Sequence, residues 1–153
     1  MSLKDPFQPI EWTDAMTIGV ATIDKQHHFL VDTLQHANEA LLKDHNNVLL
    51  SQVARDLLSY AIMHFETEEE LMQRYGYEAA CPEEAHTHIE QHRAFSRRVV
   101  AINDQLREGR EVSRVEVLEF LNNWLRDHVL GIDQLLGAFL RQAMNETDPE
   151  PDH

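Results

Sequence analysis

Residues 60–92 contain two short pairs, His64-Phe-Glu-Thr-Glu68 and His88-Ile-Glu-Gln-His92, separated by a turn signal. Residues four apart on a helix lie one above the other on the same face, so each pair is spaced to grip one ion. Around the first pair, Leu50, Val53, Ala54, Leu57, Leu58, Ala61, Phe65, Leu71, Met72 and Tyr75 recur at helical spacing, which predicts a helix over about 48–75 with His64 and Glu68 on its inward face. Gly76 is placed to stop that helix. Cys81-Pro82 is placed to restart the chain, because proline is tolerated in a first turn.

Downstream, His88, His92, Phe95, Val99, Ile102 and Leu106 alternate by three and four until Gly109. Ser113-Arg-Val-Glu116 is a capping-box pattern that opens a fourth helix with Val117, Leu121, Trp124, Leu125, His128, Ile132, Leu136 and Phe139 inward. Upstream, from about Asp24, the positions Leu30, Val31, Leu34, Ala37 and Leu41 form one stripe that includes His27, and Asp44-His-Asn-Asn47 ends it. Four helices joined by short connections predict an all-α, antiparallel up-down-up-down four-helix bundle. Residues 1–21, with Pro6, Pro9, Trp12 and Gly19, read as an extended arm anchored by Trp12. Residues 22–144 read as the bundle and 145–153 as a loose polar tail.

At 153 residues the chain suits one domain, and its formal charge of -14 excludes nucleic acid and anionic lipid surfaces as partners. No apolar run is long enough to span a membrane. The one cysteine, Cys81, and the lack of a secretory leader predict a cytoplasmic protein. Cys81 is expected in a loop, without a role.

Ten histidines are many for this length. His27 taken alone reads more readily as a hydrogen-bonded core residue than as a ligand. All four helices, however, carry histidine on the inward stripe, and Glu68 has no inward Lys or Arg to pair with. A buried unpaired charge costs several kcal/mol, which a cation would remove. Asp133 follows His128 by five, about 140° around an ideal helix, and joins the site through a second apolar edge with Val129, Leu136 and Leu140. His27, His64, Glu68, His88, His92, His128 and Asp133 then make seven ligands. That is too many for one tetrahedral or octahedral ion and suits two ions bridged by the carboxylates, iron best. His28, His36, His45 and His153 read as solvated. His86, in Glu83-Glu-Ala-His86, offers one Glu-x-x-His spacing of the ferritin-like di-iron kind, but the second such pair is missing.

With these residues in place the chain resembles the hemerythrin family, in particular its single-domain bacterial members, from about Trp12 to Leu140. The matching motifs are Gly19-Val-Ala-Thr-Ile-Asp-Lys-Gln-His27, His64-Phe-x-x-Glu68-Glu-x-Leu-Met72, His88-x-x-x-His92-x-x-Phe95 and Trp124-Leu-x-x-His128-x-x-x-x-Asp133. The resemblance implies a non-haem di-iron site that binds dioxygen reversibly as a hydroperoxide. His88, His92 and His128 would lie on the saturated iron, with His27 and His64 on the open one. Glu68, Asp133 and an oxo or hydroxo group would bridge the two. Leu125 matches a residue of the oxygen-pocket wall, and Leu30 is expected beside it. Residues 77–88 depart from the family pattern, being about five longer, with Glu78 where proline is common.

Reversible oxygen binding for storage or delivery is the expected function. Five neutral imidazoles and two carboxylates disfavour the higher oxidation states that oxygen-activating enzymes use. The alternatives are a di-iron oxidase, peroxidase or nitric-oxide-handling enzyme, and an oxygen or redox sensor acting through a partner. The expected partners are dioxygen and an oxygen-consuming enzyme or a reductase, and the expected state is a monomer.

Overall fold

The computed structural model describes residues 8–43 and 47–147. Of the expected helix-ending run Asp44-His-Asn-Asn47, residues 44–46, with His45, lie outside them, as do the tail residues 148–153, with His153. A 3-10 turn at Asp14–Met16 leads into α1 (Ala21–Lys43) and α2 (Asn47–Tyr75). These are followed by a four-residue α3 (Tyr77–Ala80), then α4 (Pro82–Arg107), α5 (Arg114–Leu130) and α6 (Ile132–Thr147). There is no strand among the described residues. Helix α1 begins three residues before the Asp24 expected from its apolar stripe, because the Asp24 carboxylate caps the entry, accepting from the backbone N–H of Ile18 at 2.8 Å and of Gly19 at 3.1 Å. Ser113 caps α5 as its sequence predicts, its hydroxyl accepting from the Glu116 N–H at 3.2 Å.

The direction of each helix can be read from one apolar layer. Leu30 lies three residues after His27 and Phe95 three after His92, while Ala61 lies three before His64 and Leu125 three before His128. All four line the same cavity. One helical step moves in the same direction only if the chain runs up, down, up and down, so the bundle is antiparallel.

The histidine layer divides the core in two. On one side Leu34, Leu41, Leu57, Phe65, Val99 and Leu118 belong to a large apolar cluster. On the other, Ile18, Ile23, Leu71, Met72, Tyr77 and Leu136 form a smaller one.

Four expectations require correction. Trp12 is only half-buried, stacked on His28 with ring centroids 3.5 Å apart. The arm is instead seated by Ile10, Met16 and Ile18, each at most 2% exposed. The Ile10 N–H donates to Asn122 Oδ1 at 2.9 Å and its carbonyl accepts from Gln35 at 3.1 Å, so the deepest point of the arm leaves no backbone group orphaned.

The 77–88 linker is almost wholly helical. Gly76, at φ +76°, turns the chain, Tyr77 fills the smaller cluster, and Cys81 is the single non-helical residue before Pro82 starts α4. Cys81 is half-buried in that one-residue connection. His86 is exposed on the first turns of α4.

The expected fourth helix is two. Gly131, at φ -104° and ψ -97°, ends α5 and α6 starts at Ile132. The polar end of the chain also stays helical to Thr147, past the expected start of the tail at 145.

Candidate metal centre

Seven polar side chains meet where the two apolar clusters divide. His27, His64, Glu68, His88, His92, His128 and Asp133 are each at most 3% exposed. Helix α1 supplies the first, α2 the next two, α4 His88 and His92, α5 His128 and α6 Asp133. The break at Gly131 brings the last into place. Five residues on an unbroken helix would turn Asp133 about 140° from His128. With the break, Asp133 Oδ1 lies 3.2 Å from His128 Nε2. The second apolar edge expected from sequence is present as well, Val129, Leu136 and Leu140 being as fully buried as Asp133.

All five imidazoles turn Nε2 toward the carboxylates. Glu68 Oε1 is 3.2 Å from His88 and 3.0 Å from His92, while Oε2 is 3.5 Å from His27 and 3.3 Å from His64. Asp133 is divided in the same way, with Oδ1 2.9 Å from His88 and Oδ2 3.0 Å from His27. Each carboxylate thus offers one oxygen to each half of the cluster. Two groups that could each hold a metal ion result, Glu68 with His88, His92 and His128, and His27, His64, Glu68 and Asp133.

The close approaches at His27, His64 and His128 are not hydrogen bonds. Their Nε2 atoms, Glu68 Oε2 and both Asp133 oxygens have no hydrogen-bond partner although they are buried. Buried polar atoms are normally satisfied, so this convergence of lone pairs suits cations of the kind that imidazole and carboxylate bind together.

Electrostatics carry the same message. Burial pushes the Glu68 carboxyl up, but the surrounding imidazoles, His64 foremost, outweigh it and hold it well below the usual carboxylate range. Burial and the charge of Glu68 push Asp133 up, and His128 with His27 pulls it down further than they raise it. Burial lowers His27 and His88, yet the carboxylates of Asp133 and Glu68, close against their rings, raise them to about 10 and about 9. At His128 burial prevails and the pKa falls. Without a cation the cluster keeps protons that a metal would replace.

A second ring of residues, missed in the sequence reading, orients the first. Gln26 Oε1 accepts from His64 Nδ1 at 2.6 Å, Glu69 Oε2 from His92 Nδ1 at 2.8 Å, and Gln91 Oε1 from His128 Nδ1 at 2.7 Å. A carboxamide or carboxylate oxygen only accepts, so Nδ1 carries the proton and Nε2 keeps its lone pair for the centre. Each supporting residue adjoins a cluster residue of its own helix and serves a histidine on the next. Their positions beside His27, Glu68 and His92 were the available signal. Phe65 on His92 and Trp124 on His128 stack at ring centroids of 3.9 and 4.4 Å, fixing ring planes as well.

One helical turn away lies an apolar cavity of about 20 Å³ lined by Leu30, Leu34, Ala61, Phe65, Trp124 and Leu125 among others. Leu30 and Leu125, expected from sequence at an oxygen-pocket wall, both line this cavity.

Residues 18–140 match the family model for the hemerythrin HHE cation binding domain. The chain belongs to the hemerythrin family. It is 31% identical over 136 residues to a bacteriohemerythrin of Pseudomonas aeruginosa, covering 88% of this chain and 84% of that one. A bacteriohemerythrin of Stenotrophomonas maltophilia is 29% identical over 135 residues at the same coverage. Among solved structures, a wild-type hemerythrin shares the fold with a TM-score of 0.74 at 24% identity, covering 86% of this chain and 97% of that one. Hemerythrin relatives share a non-haem iron-binding domain, and the histidine and carboxylate cluster is able to hold such ions. No helix among the described residues is long and apolar enough to cross a membrane.

Proposed function

We propose that this hemerythrin-family protein binds dioxygen reversibly at two iron ions, with storage or delivery as its role. The observation that carries the reading is the unequal sharing of ligands about two common carboxylates. His88, His92 and His128 would hold one ion, and His27 and His64 the other, with Glu68 and Asp133 shared. Three imidazoles against two leave the second ion one protein donor short, which makes it the place for an exogenous ligand. Two iron ions so held supply a reversible two-electron exchange with dioxygen.

The chain's own residues set the conditions. Leu30, Leu125 and Phe65 keep the adjoining cavity apolar, which favours an uncharged diatomic over water and anions. Gln26, Glu69 and Gln91 hold the imidazole rings in one tautomer, so the donor atoms are in place before a ligand arrives. Seven ligands with only two carboxylates make a centre less anionic than a carboxylate-rich one, favouring binding over oxidative turnover.

The test is to load the chain with iron, count iron per chain, and reduce it anaerobically. Spectra are then recorded before air, after air and after oxygen is removed. A charge-transfer band that appears with air and disappears on degassing supports a carrier. Irreversible bleaching to the oxidised spectrum supports an oxidase or redox protein, and one iron or none overturns the seven-ligand assignment.

A further inference from the structure

We infer that Glu69 is a positioning residue that sets the order in which two bound iron ions are oxidised, an inference that rests on the di-iron reading. The carboxylates at the centre are shared evenly, since Glu68 and Asp133 each turn one oxygen to His27 and the other to His88. Imidazoles are neutral when they bind a metal. The ligands therefore bring equal negative charge to the two halves, and any inequality comes from the groups behind them.

Three of the five imidazoles have a side-chain acceptor at Nδ1, and the acceptors differ in charge. His64 and His128 donate to the amides of Gln26 and Gln91, whereas His92 donates to the carboxylate of Glu69 at 2.8 Å. Glu68 and Glu69 follow one another on α2 and take opposite edges of the same ring, with Glu68 Oε1 lying 3.0 Å from Nε2. Phe65 stacks on the face of that ring, the centroids 3.9 Å apart and the planes at 10°. His92, 1% exposed, is thus held on both edges and on one face.

A hydrogen bond to an anion is roughly twice as strong as one to a neutral acceptor. It draws the Nδ1 proton toward Glu69 and returns electron density to the lone pair at Nε2, which makes His92 a more basic donor than His64 or His128. A more basic donor favours iron(III) over iron(II). This support lies on the half built from His88, His92 and His128, so the first electron is given up on that side. Ferrous character is kept on the side of His27 and His64, which is one protein donor short. The side chain of Glu69 is 26% exposed on a groove that it shares with Glu66, Arg93 and Arg97. Solvent there screens its charge through space, and the hydrogen bond to the buried ring carries the effect.

The experiment starts from iron-loaded protein reduced anaerobically, and fewer than two irons per wild-type chain defeats the di-iron reading before Glu69 is tested. The diferrous protein is titrated with ferricyanide, each equivalent taking one electron, and the potential of the first step is read with mediators. Glu69→Gln keeps an acceptor for His92 and removes its charge. It is expected to hold two irons and to weaken the preference for iron(III) about tenfold, which raises that potential by about 59 mV. Gln91→Glu puts a carboxylate behind His128 on the same half and is expected to lower the potential by a similar factor, a reversal of sign that a merely structural support would not produce. In the half-oxidised wild type, the imidazole N–H protons of His92 and His128 are expected to show larger paramagnetic shifts than that of His64. The inference is overturned if Glu69→Gln loses iron or leaves the potential unchanged, if Gln91→Glu does not lower it, or if His64 carries the largest shift.

Discussion

Gln26 Oε1 accepts a hydrogen bond from His64 Nδ1 at 2.6 Å, and the same amide's nitrogen donates to Thr67 Oγ1 at 3.2 Å, so the orientation of the glutamine is set by both ends. This bond fixes the tautomer of a histidine on a different helix. Replacing the supporting partner of a ligating histidine lowers metal affinity about 10- to 100-fold. Gln26→Ala and Gln91→Ala are each expected to do so with the helical circular dichroism unchanged. Competition of bound iron against a chelator measures the loss.

Gly131 permits the break between α5 and α6. A Cβ there would lie 2.8 Å from the Asp127 carbonyl oxygen, a backbone atom that cannot swing aside. Overpacking of this kind costs about 1–3 kcal/mol. Gly131→Ala is expected to lower the unfolding temperature and to reduce iron per chain, because the clash displaces Asp133. Full occupancy in the variant would show that Asp133 reaches the centre without the break.

Asn38 and Asn122 exchange hydrogen bonds at 2.8 and 2.9 Å in the core, and Asn122 also receives the arm's Ile10 N–H. Asn122→Leu leaves the Asn38 amide and that N–H without partners. Each buried unsatisfied group costs about 1–3 kcal/mol. Urea unfolding is expected to show a destabilisation of that order for each group, and amide hydrogen exchange at Ile10 to accelerate, while iron content is retained.

The metal-free protein should have a stability optimum in mildly acidic solution. His27 and His88 are raised from 6.5 to about 10 and about 9, so the folded chain holds protons that the unfolded chain releases. Their stabilisation is complete below pH 6.5 and is lost as pH rises through 9 to 10. Glu68 and Asp133 are lowered from 4.5 and 3.8, so their contribution is present above those values and disappears as pH falls. Thermal unfolding of the metal-free chain across pH 3–10 checks both limbs. Metal loading at pH 7 is expected to release protons from His27 and His88, measurable in weak buffer.

Leu30 and Leu125 face a cavity of only about 20 Å³, so a larger side chain removes it. Leu30→Phe is expected to keep two irons per chain and to lose at least tenfold in oxygen affinity, read from the visible spectrum against oxygen pressure. Unchanged affinity would place the oxygen path elsewhere.

By itself, the sequence determined what depends on local period. Three-four spacing placed His27, His64, Glu68, His88, His92 and His128 on inward faces, and all are buried. It also placed the Ser113 cap and the stop at Gly76, because caps and glycine turns act within a few residues. Only the tertiary structure decided which partner each side chain meets. Gln26, Glu69 and Gln91 look like ordinary polar helix residues until a neighbouring helix sets a histidine 2.6–2.8 Å away. The place of Asp133 depends on a break at a glycine that local periodicity passes over, and the seat of the arm depends on Asn122, 112 residues from Ile10 in the chain. Helical period is a property of a segment and is written in it. Tautomer, bridging and anchoring are properties of pairs far apart in sequence, and they exist only once the helices have packed.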